Sequence, residues 1–189
     1  LIEYLKREEI SQAIIFCNSR HHGEKLIKEL EGKFKSIGYI HGGLEQSRRI
    51  SIFERFRRNE ITFMVATDIA GRGLDFSHVS HVINYDYPCG LESYTNRTGR
   101  TGRMGRSGIA MTFVTDQELT VLKFLFKANR IHPVWHGGIP NLQAVFHQRH
   151  NGKNYFKKRS RNVSRVESCQ ITGMRSAPRP PHPQETTIL

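Results

Sequence analysis

A chain of 189 residues with a net charge of +12 and 37% hydrophobic residues suits one globular domain and a tail. No apolar run approaches the ~20 residues of a membrane span, no signal-peptide pattern is read within these residues, and the cysteines Cys17, Cys89 and Cys169 form no CxxC pair. Those features weigh against a membrane protein, a disulfide framework and a zinc site, and fit a reducing, intracellular compartment.

Elements alternate along the chain. Ala13 to Cys17 is a short apolar run rich in β-formers, and His21 to Leu30 carries Leu26, Ile27 and Leu30 at helical spacing. Ile37 to His41 reads as a strand, and Gln46 to Arg58 as a helix with Ile50, Phe53 and Phe56 on one face. Further strands are expected at Ile61 to Ala66, His81 to Tyr85 and Ile109 to Val114, with a turn or two of helix at Leu91 to Arg97. A helix is expected over Gln117 to Ala128. Continuous apolar strands separated by helices indicate an α/β domain, a parallel sheet with helices on both faces. Ligands in such sheets bind at the carboxyl ends of the strands. Asn18-Ser19-Arg20, His41-Gly42-Gly43 and Thr67-Asp68 fall there, so hydroxyls, glycines and arginines gather on one phosphate-tracking edge.

Between the last two strands lies Arg97-Thr98-Gly99-Arg100-Thr101-Gly102-Arg103-Met104-Gly105-Arg106-Ser107-Gly108. Glycine at this density is costly inside a helix, while guanidinium forks match phosphate oxygens. The run alone leaves open an ordered phosphate loop or an arginine-glycine RNA-binding tail. Four repeats without proline are too few for collagen.

Charge is uneven. Residues 1–148 hold 20 Lys and Arg against 15 Asp and Glu, and residues 149–189 hold 9 against 2. That excess points to a polyanion, most often nucleic acid, bound with salt-sensitive affinity. Residues 1–132 are expected to form the domain and 133–189 a largely disordered, basic, proline-containing tail. The tail is either a non-specific RNA grip or a solvated linker. Because Leu1 is not Met and opens a helix-like stretch, the chain is expected to be cut from a longer protein.

Four segments, in order, resemble the C-terminal RecA-like domain of DEAD-box RNA helicases, over roughly residues 1–130. Ile14-Ile15-Phe16-Cys17-Asn18-Ser19-Arg20 resembles motif IV, and His41-Gly42 with Gln46-Ser47-Arg48-Arg49 the QxxR element. Ala66-Thr67-Asp68-Ile69-Ala70-Gly71-Arg72-Gly73-Leu74-Asp75 resembles motif V; Tyr85-Asp86 and Arg97 to Arg103 resemble the linker and motif VI. The resemblance implies an ATP-dependent RNA helicase in which Arg100 and Arg103 are arginine fingers and Asp75 meets the ribose hydroxyl. Read without it, Asp75 equally suits capping of the turn before Ser77. RNA phosphates would be met by Ser19, Arg20, Gly42, Gln46, Arg49 and Thr67; Gln46 and Arg49, an i, i+3 pair, otherwise read as surface polar residues. Asp68, Arg72, Asn96 and Arg97 would organise loops and the domain interface. Asn96 stands where motif VI usually has histidine, and asparagine cannot carry a positive charge.

Neither a GxxxxGK[ST] loop nor an Asp-Glu-Ala-Asp run occurs. ATP and Mg²⁺ would therefore be held mainly by an N-terminal RecA-like domain of the same protein, and this chain alone would not hydrolyse ATP. The implied partners are RNA and that domain, in a monomer. The competing readings are a catalytically silent RNA-binding module and a DNA-acting helicase of the same superfamily.

Overall fold

The computed structural model describes residues 1–71, 76, 79–103, 105–115, 118, 134–136 and 167–172. After a short opening helix α1 (Ile2–Arg7), strands β1 (Ala13–Cys17), β2 (Ile37–Ile40), β3 (Phe63–Thr67), β4 (His81–Asn84) and β5 (Ile109–Val114) alternate with helices α2 (Arg20–Glu31), α3 (Gln46–Arg57), α4 (Asp68–Gly71) and α5 (Leu91–Thr98). Five of the strands run parallel in the order β2-β3-β1-β4-β5. Two further strands, β6 (Val134–His136) and β7 (Glu167–Thr172), extend the sheet beyond β5 in antiparallel pairing. Both lie in the portion expected to be a tail, and the sequence reading did not anticipate them. The rest of 133–189 and the helix expected at Gln117 to Ala128 lie outside the described residues, apart from Glu118.

Alternation within the buried strands explains their unbroken apolar runs. Ile14, Phe16, Met64, Ala66 and Val82 pack on one face with Phe56, Phe76 and Val79. Ala13, Ile15, Cys17, Phe63, Val65, Ile83 and Met111 pack on the other with Leu5, Leu26 and Leu30. A strand covered on both faces has no polar side to show. Each fully buried Ile or Leu contributes about 1.5–3 kcal/mol, so the central strands anchor the loops that follow them.

Helix α3 differs from expectation. Ile50 is 47% exposed, whereas Phe56 is buried and Ile52 and Phe53 pack against the core. Its inward stripe is therefore Arg49, Ile52, Phe53 and Phe56, an i, i+3, i+4, i+7 set. Arg49 belongs to that stripe because its Nη2 donates to the carbonyl of Ala70 at 3.1 Å, satisfying a backbone acceptor at the end of α4.

A buried histidine gives the domain a pH dependence. His81 is 4% exposed at the start of β4, its Nδ1 2.8 Å from the Ser80 hydroxyl. Burial lowers its pKa, with Glu8 opposing more weakly. The folded ring stays neutral at a pH where the unfolded ring takes up a proton, so this stability is present above the ordinary value of 6.5 and is lost as pH falls toward the folded value. His41, also lowered by burial, acts in the same direction. The urea midpoint is expected to fall between about pH 7.5 and about pH 5.5, and His81→Gln to flatten part of that slope. A midpoint that rises toward acid contradicts this.

Candidate functional site

The carboxyl edge of the sheet gathers three chain turns. After β1, Ser19 caps α2, its hydroxyl accepting from the His22 N–H at 3.1 Å. Arg20 follows, pairing through Nε with Glu24 at 2.6 Å, while its carbonyl accepts from the Tyr39 hydroxyl at 2.8 Å. After β2, the Gly43 N–H donates to His41 Nδ1 at 3.2 Å. A Cβ built on Gly43 would stand 3.1 Å from an Arg20 guanidinium nitrogen, so Arg20 lies over this turn. A Cβ on Gly42 would meet Ile69 at 3.3 Å, which brings the β2 turn against α4. Thr67 closes β3 in register with Cys17 and is 7% exposed.

Gln46 and Arg49 do act as a pair. Arg49 Nη1 donates to Gln46 Oε1 at 3.0 Å, and the same guanidinium reaches Ala70. The first turn of α3 is thereby fastened to the residues following β3. Ser19, Arg20, Gly42, Gln46, Arg49 and Thr67, drawn from three separate turns, fall along one edge. Arg72 and Asp75 lie outside the described residues.

Arg97 leads the arginine run but does not face solvent. It is 1% exposed, sits 5.3 Å above the Phe16 ring, and spreads its guanidinium over five acceptor atoms, Asn84 Oδ1 at 3.4 Å among them. Nε and Nη2 hold both Asp68 oxygens in a fork, Nη2 donates to Asn18 Oδ1 at 2.7 Å, and Nη1 donates to the Asp86 carbonyl at 2.9 Å. Asp68 follows β3, Asn18 follows β1 and Asp86 follows β4. One side chain therefore joins the carboxyl ends of three neighbouring strands to α5. Ser93 adds a bond to Asp68 at 3.1 Å, and His22 Nδ1 approaches the Asp86 carboxylate at 2.9 Å. The Asp86 carboxylate also accepts from the Asn18 N–H at 2.8 Å.

Asn84, Ser93 and the ring of His22 were not singled out from sequence. Asn84 had a readable signal, a lone amide inside an apolar strand, and it bonds Thr112 Oγ1 at 3.0 Å. His22 had none, because its partner is 64 residues away. Cys17, beside this network, has its thiol pushed up to about 12, chiefly by burial, which makes it a poor nucleophile.

Arg100 and Arg103 stand elsewhere. Helix α5 begins after the carboxyl end of β4 and runs about 12 Å at 1.5 Å per residue. Just beyond it, Thr101 pairs with Val79, which precedes β4. The loop after α5 has therefore returned to the amino edge of the sheet. There Arg100 Nε donates to the Asn96 carbonyl at 3.2 Å and Arg103 Nε to the Gly99 carbonyl. These bonds neutralise the partly negative end of the helix. Asn96 itself is exposed. Helix α5 thus has the buried Arg97 hub anchoring it and the two further arginines at its far end.

Residues 1–105 match the family model for the helicase conserved C-terminal domain. The chain belongs to that family. Among curated relatives, ATP-dependent RNA helicase RhlB of Shewanella frigidimarina is 44% identical over 117 residues, covering 62% of this chain and 27% of RhlB. The fold matches the solved structure of E. coli DEAD-box protein SrmB bound to regulator of ribonuclease activity A, with a TM-score of 0.62 and 32% identity over 67% of this chain and 75% of that one. It also matches Mss116p DEAD-box helicase domain 2 bound to an RNA duplex, with a TM-score of 0.63 and 33% identity over 69% of this chain and 54% of that one. This is the helicase C-terminal domain of the DEAD-box type, with the RecA-like fold. The chain spans 24–30% of the length of the curated relatives it matches. Among its described residues, this helicase domain has no helix long and apolar enough to cross a membrane.

Proposed function

We propose that this helicase C-terminal domain is the second half of an ATP-driven RNA clamp that disrupts short duplexes locally. The observation that supports the reading best is the division of labour along α5. A phosphate-tracking edge lies at the carboxyl ends of the strands, two arginines lie beyond the far end of the helix, and the buried Arg97 fork ties the helix to the first surface. Ser19, Arg20, Gly42, Gln46, Arg49 and Thr67 would grip RNA phosphates, which fixes register without reading bases. Arg100 and Arg103 would reach across to ATP held mainly by a preceding RecA-like domain, and Asp75 would accept from its ribose hydroxyl. Asp68, Arg72, Asn96 and Arg97 would set loop and interface geometry.

Mg²⁺ would be held mainly by the preceding RecA-like domain. Among the described residues no group of three or more His, Cys, Asp or Glu side chains could hold a metal ion. When bound, the ion would neutralise charge on the terminal phosphates. ATP and RNA would both favour closure of the two domains, so each would raise the affinity for the other. Loss of the γ-phosphate would release Arg100 and Arg103 and let the cleft open.

A silent RNA-binding module is the competing reading, and the exposed asparagine at position 96 favours it. Truncating 149–189 from the full-length protein separates the two. The clamp is expected to keep ATP-dependent RNA retention, with salt-sensitive affinity reduced by the loss of the tail's basic residues. A silent module would lose nearly all RNA affinity, whether or not ATP is added. RNA retention is to be measured with and without ATP by fluorescence anisotropy.

A further inference from the structure

The amino edge of the sheet carries a cavity that the roles above leave unused. It has a volume of about 200 Å³ and is lined by Ser11, Val79, Ser80, Gly102, Arg103, Arg106 and Ser107. Its serines are placed by the fold. Ser11 stands shortly before β1, Ser80 immediately before β4 and Ser107 shortly before β5, three adjacent strands of the sheet. Parallel strands in register set these hydroxyl-bearing turns side by side.

The arginine loop forms one side of the cavity. Thr101 Oγ1 donates to the carbonyls of Val79 and Ser80 at 2.7 and 3.1 Å, pinning the loop to the entry of β4. Gly102 then takes φ +67°, which turns the chain sharply, and the Arg106 N–H donates to the Arg103 carbonyl at 3.1 Å across Gly105 at φ +77°. That turn sets Arg103 and Arg106 side by side in the cavity lining. The described lining residues bring two arginines and three serines and no carboxylate; the Ser80 hydroxyl already donates to the Gln12 carbonyl at 2.9 Å, which leaves Ser11 and Ser107 as the hydroxyl donors. The carbonyl-rich end of α5, which would repel an anion, is occupied by Arg100 and Arg103.

We propose that this cavity is a phosphate site, with Arg106 and Ser107 as ligands not otherwise assigned. Fixed guanidiniums with hydroxyl donors are the chemistry that recognises a tetrahedral oxyanion. The volume accommodates inorganic phosphate with a few waters at about 30 Å³ each. Arg103 lines the same cavity, so phosphate released at the finger would meet Arg106 next. This role as a stop for product phosphate rests on the finger reading of Arg100 and Arg103; the binding itself does not.

The test uses the 189-residue chain, isotopically labelled, with inorganic phosphate added at constant ionic strength and chloride as control. Saturable shifts are expected at the Ser80, Gly102 and Ser107 amides and at the Arg103 and Arg106 Nε–H groups. Arg106→Gln should weaken the affinity about tenfold or more, since one charge-assisted bond is lost. Ser107→Asp, on an exposed residue, should abolish saturation by placing a like charge in the cavity. Adenosine monophosphate and a short single-stranded RNA should leave these signals unsaturated. Shifts that grow linearly and match chloride, or an affinity unmoved by both variants, overturn the site. Saturation by the RNA instead shows a backbone grip and likewise overturns the proposal. Should Arg100→Ala leave ATP turnover intact in the full-length protein while phosphate still saturates the cavity, the finger reading falls and the site stands.

Discussion

Replacing Arg100 with alanine in the full-length protein is expected to reduce RNA-stimulated ATP turnover by about 10³-fold or more, the range for arginine fingers in general. RNA binding should change little, because Arg100 lies past the far end of α5 from the turns that carry Gly42, Arg49 and Thr67. Its Nε rests on the Asn96 carbonyl, and exchanging that bond costs only about 1 kcal/mol net. A contact aimed at charge developing on a transferring phosphoryl group is worth several times that in a water-poor cleft. Arg100→Lys is a stricter test, since it keeps the charge and loses the fork. Turnover close to that of the unaltered protein in both variants contradicts the assignment.

Arg97→Ala is expected to cost about 3 kcal/mol or more of folding stability, the range for breaking a buried ion pair. The guanidinium is 1% exposed and its removal leaves the Asp68 fork, Asn18 Oδ1 and the Asp86 carbonyl without their donor. Asp68 is 37% exposed and regains some water, which keeps the loss from the top of that range. Arg97→Lys should recover only part of it, because one ammonium cannot serve acceptors after three different strands. The double variant Arg97→Met with Asp68→Asn should be milder than Arg97→Ala, since no carboxylate is then left without its partner. Urea unfolding of the 189-residue chain reads all three. A loss under about 1 kcal/mol for Arg97→Ala would show that the fork is not a structural hub.

Much of this architecture could be read from the amino acids. Buried parallel strands such as Ile14 to Cys17 and Met64 to Ala66 advertise themselves as unbroken apolar runs. The gathering of hydroxyls, glycines and arginines at the carboxyl edge followed from what stands immediately after each run. Three things were not legible. Ile50 was placed inward on periodicity, but the stripe of α3 is set by Arg49, whose bond to Ala70 turns a charged residue toward the core. Spacing makes Arg97 the first of four like arginines and the resemblance gives it an organising role, but neither reveals its burial, which depends on partners 29 and 79 residues away. No local pattern encodes such contacts. The short strands β6 and β7 sit among basic and proline-rich residues where composition argues for no regular structure.

That difference among the arginines carries the functional argument. Spacing alone treats Arg97, Arg100, Arg103 and Arg106 alike, while the fold separates a buried hub from two groups beyond the helix end, one of which, Arg103, lines a polar cavity together with Arg106. Tying the hub to the carboxyl ends of β1, β3 and β4 gives the turns at that edge and α5 a shared rigid support. A shift on one surface would then reach the other through packed, hydrogen-bonded side chains.

The most direct test is a structure of the full-length protein closed on RNA with a non-hydrolysable ATP analogue. The account predicts the Arg100 and Arg103 guanidiniums within about 3 Å of the terminal phosphate oxygens, with Arg97 still forked on Asp68. A closed, nucleotide-loaded form in which both guanidiniums remain folded on the Asn96 and Gly99 carbonyls would contradict it.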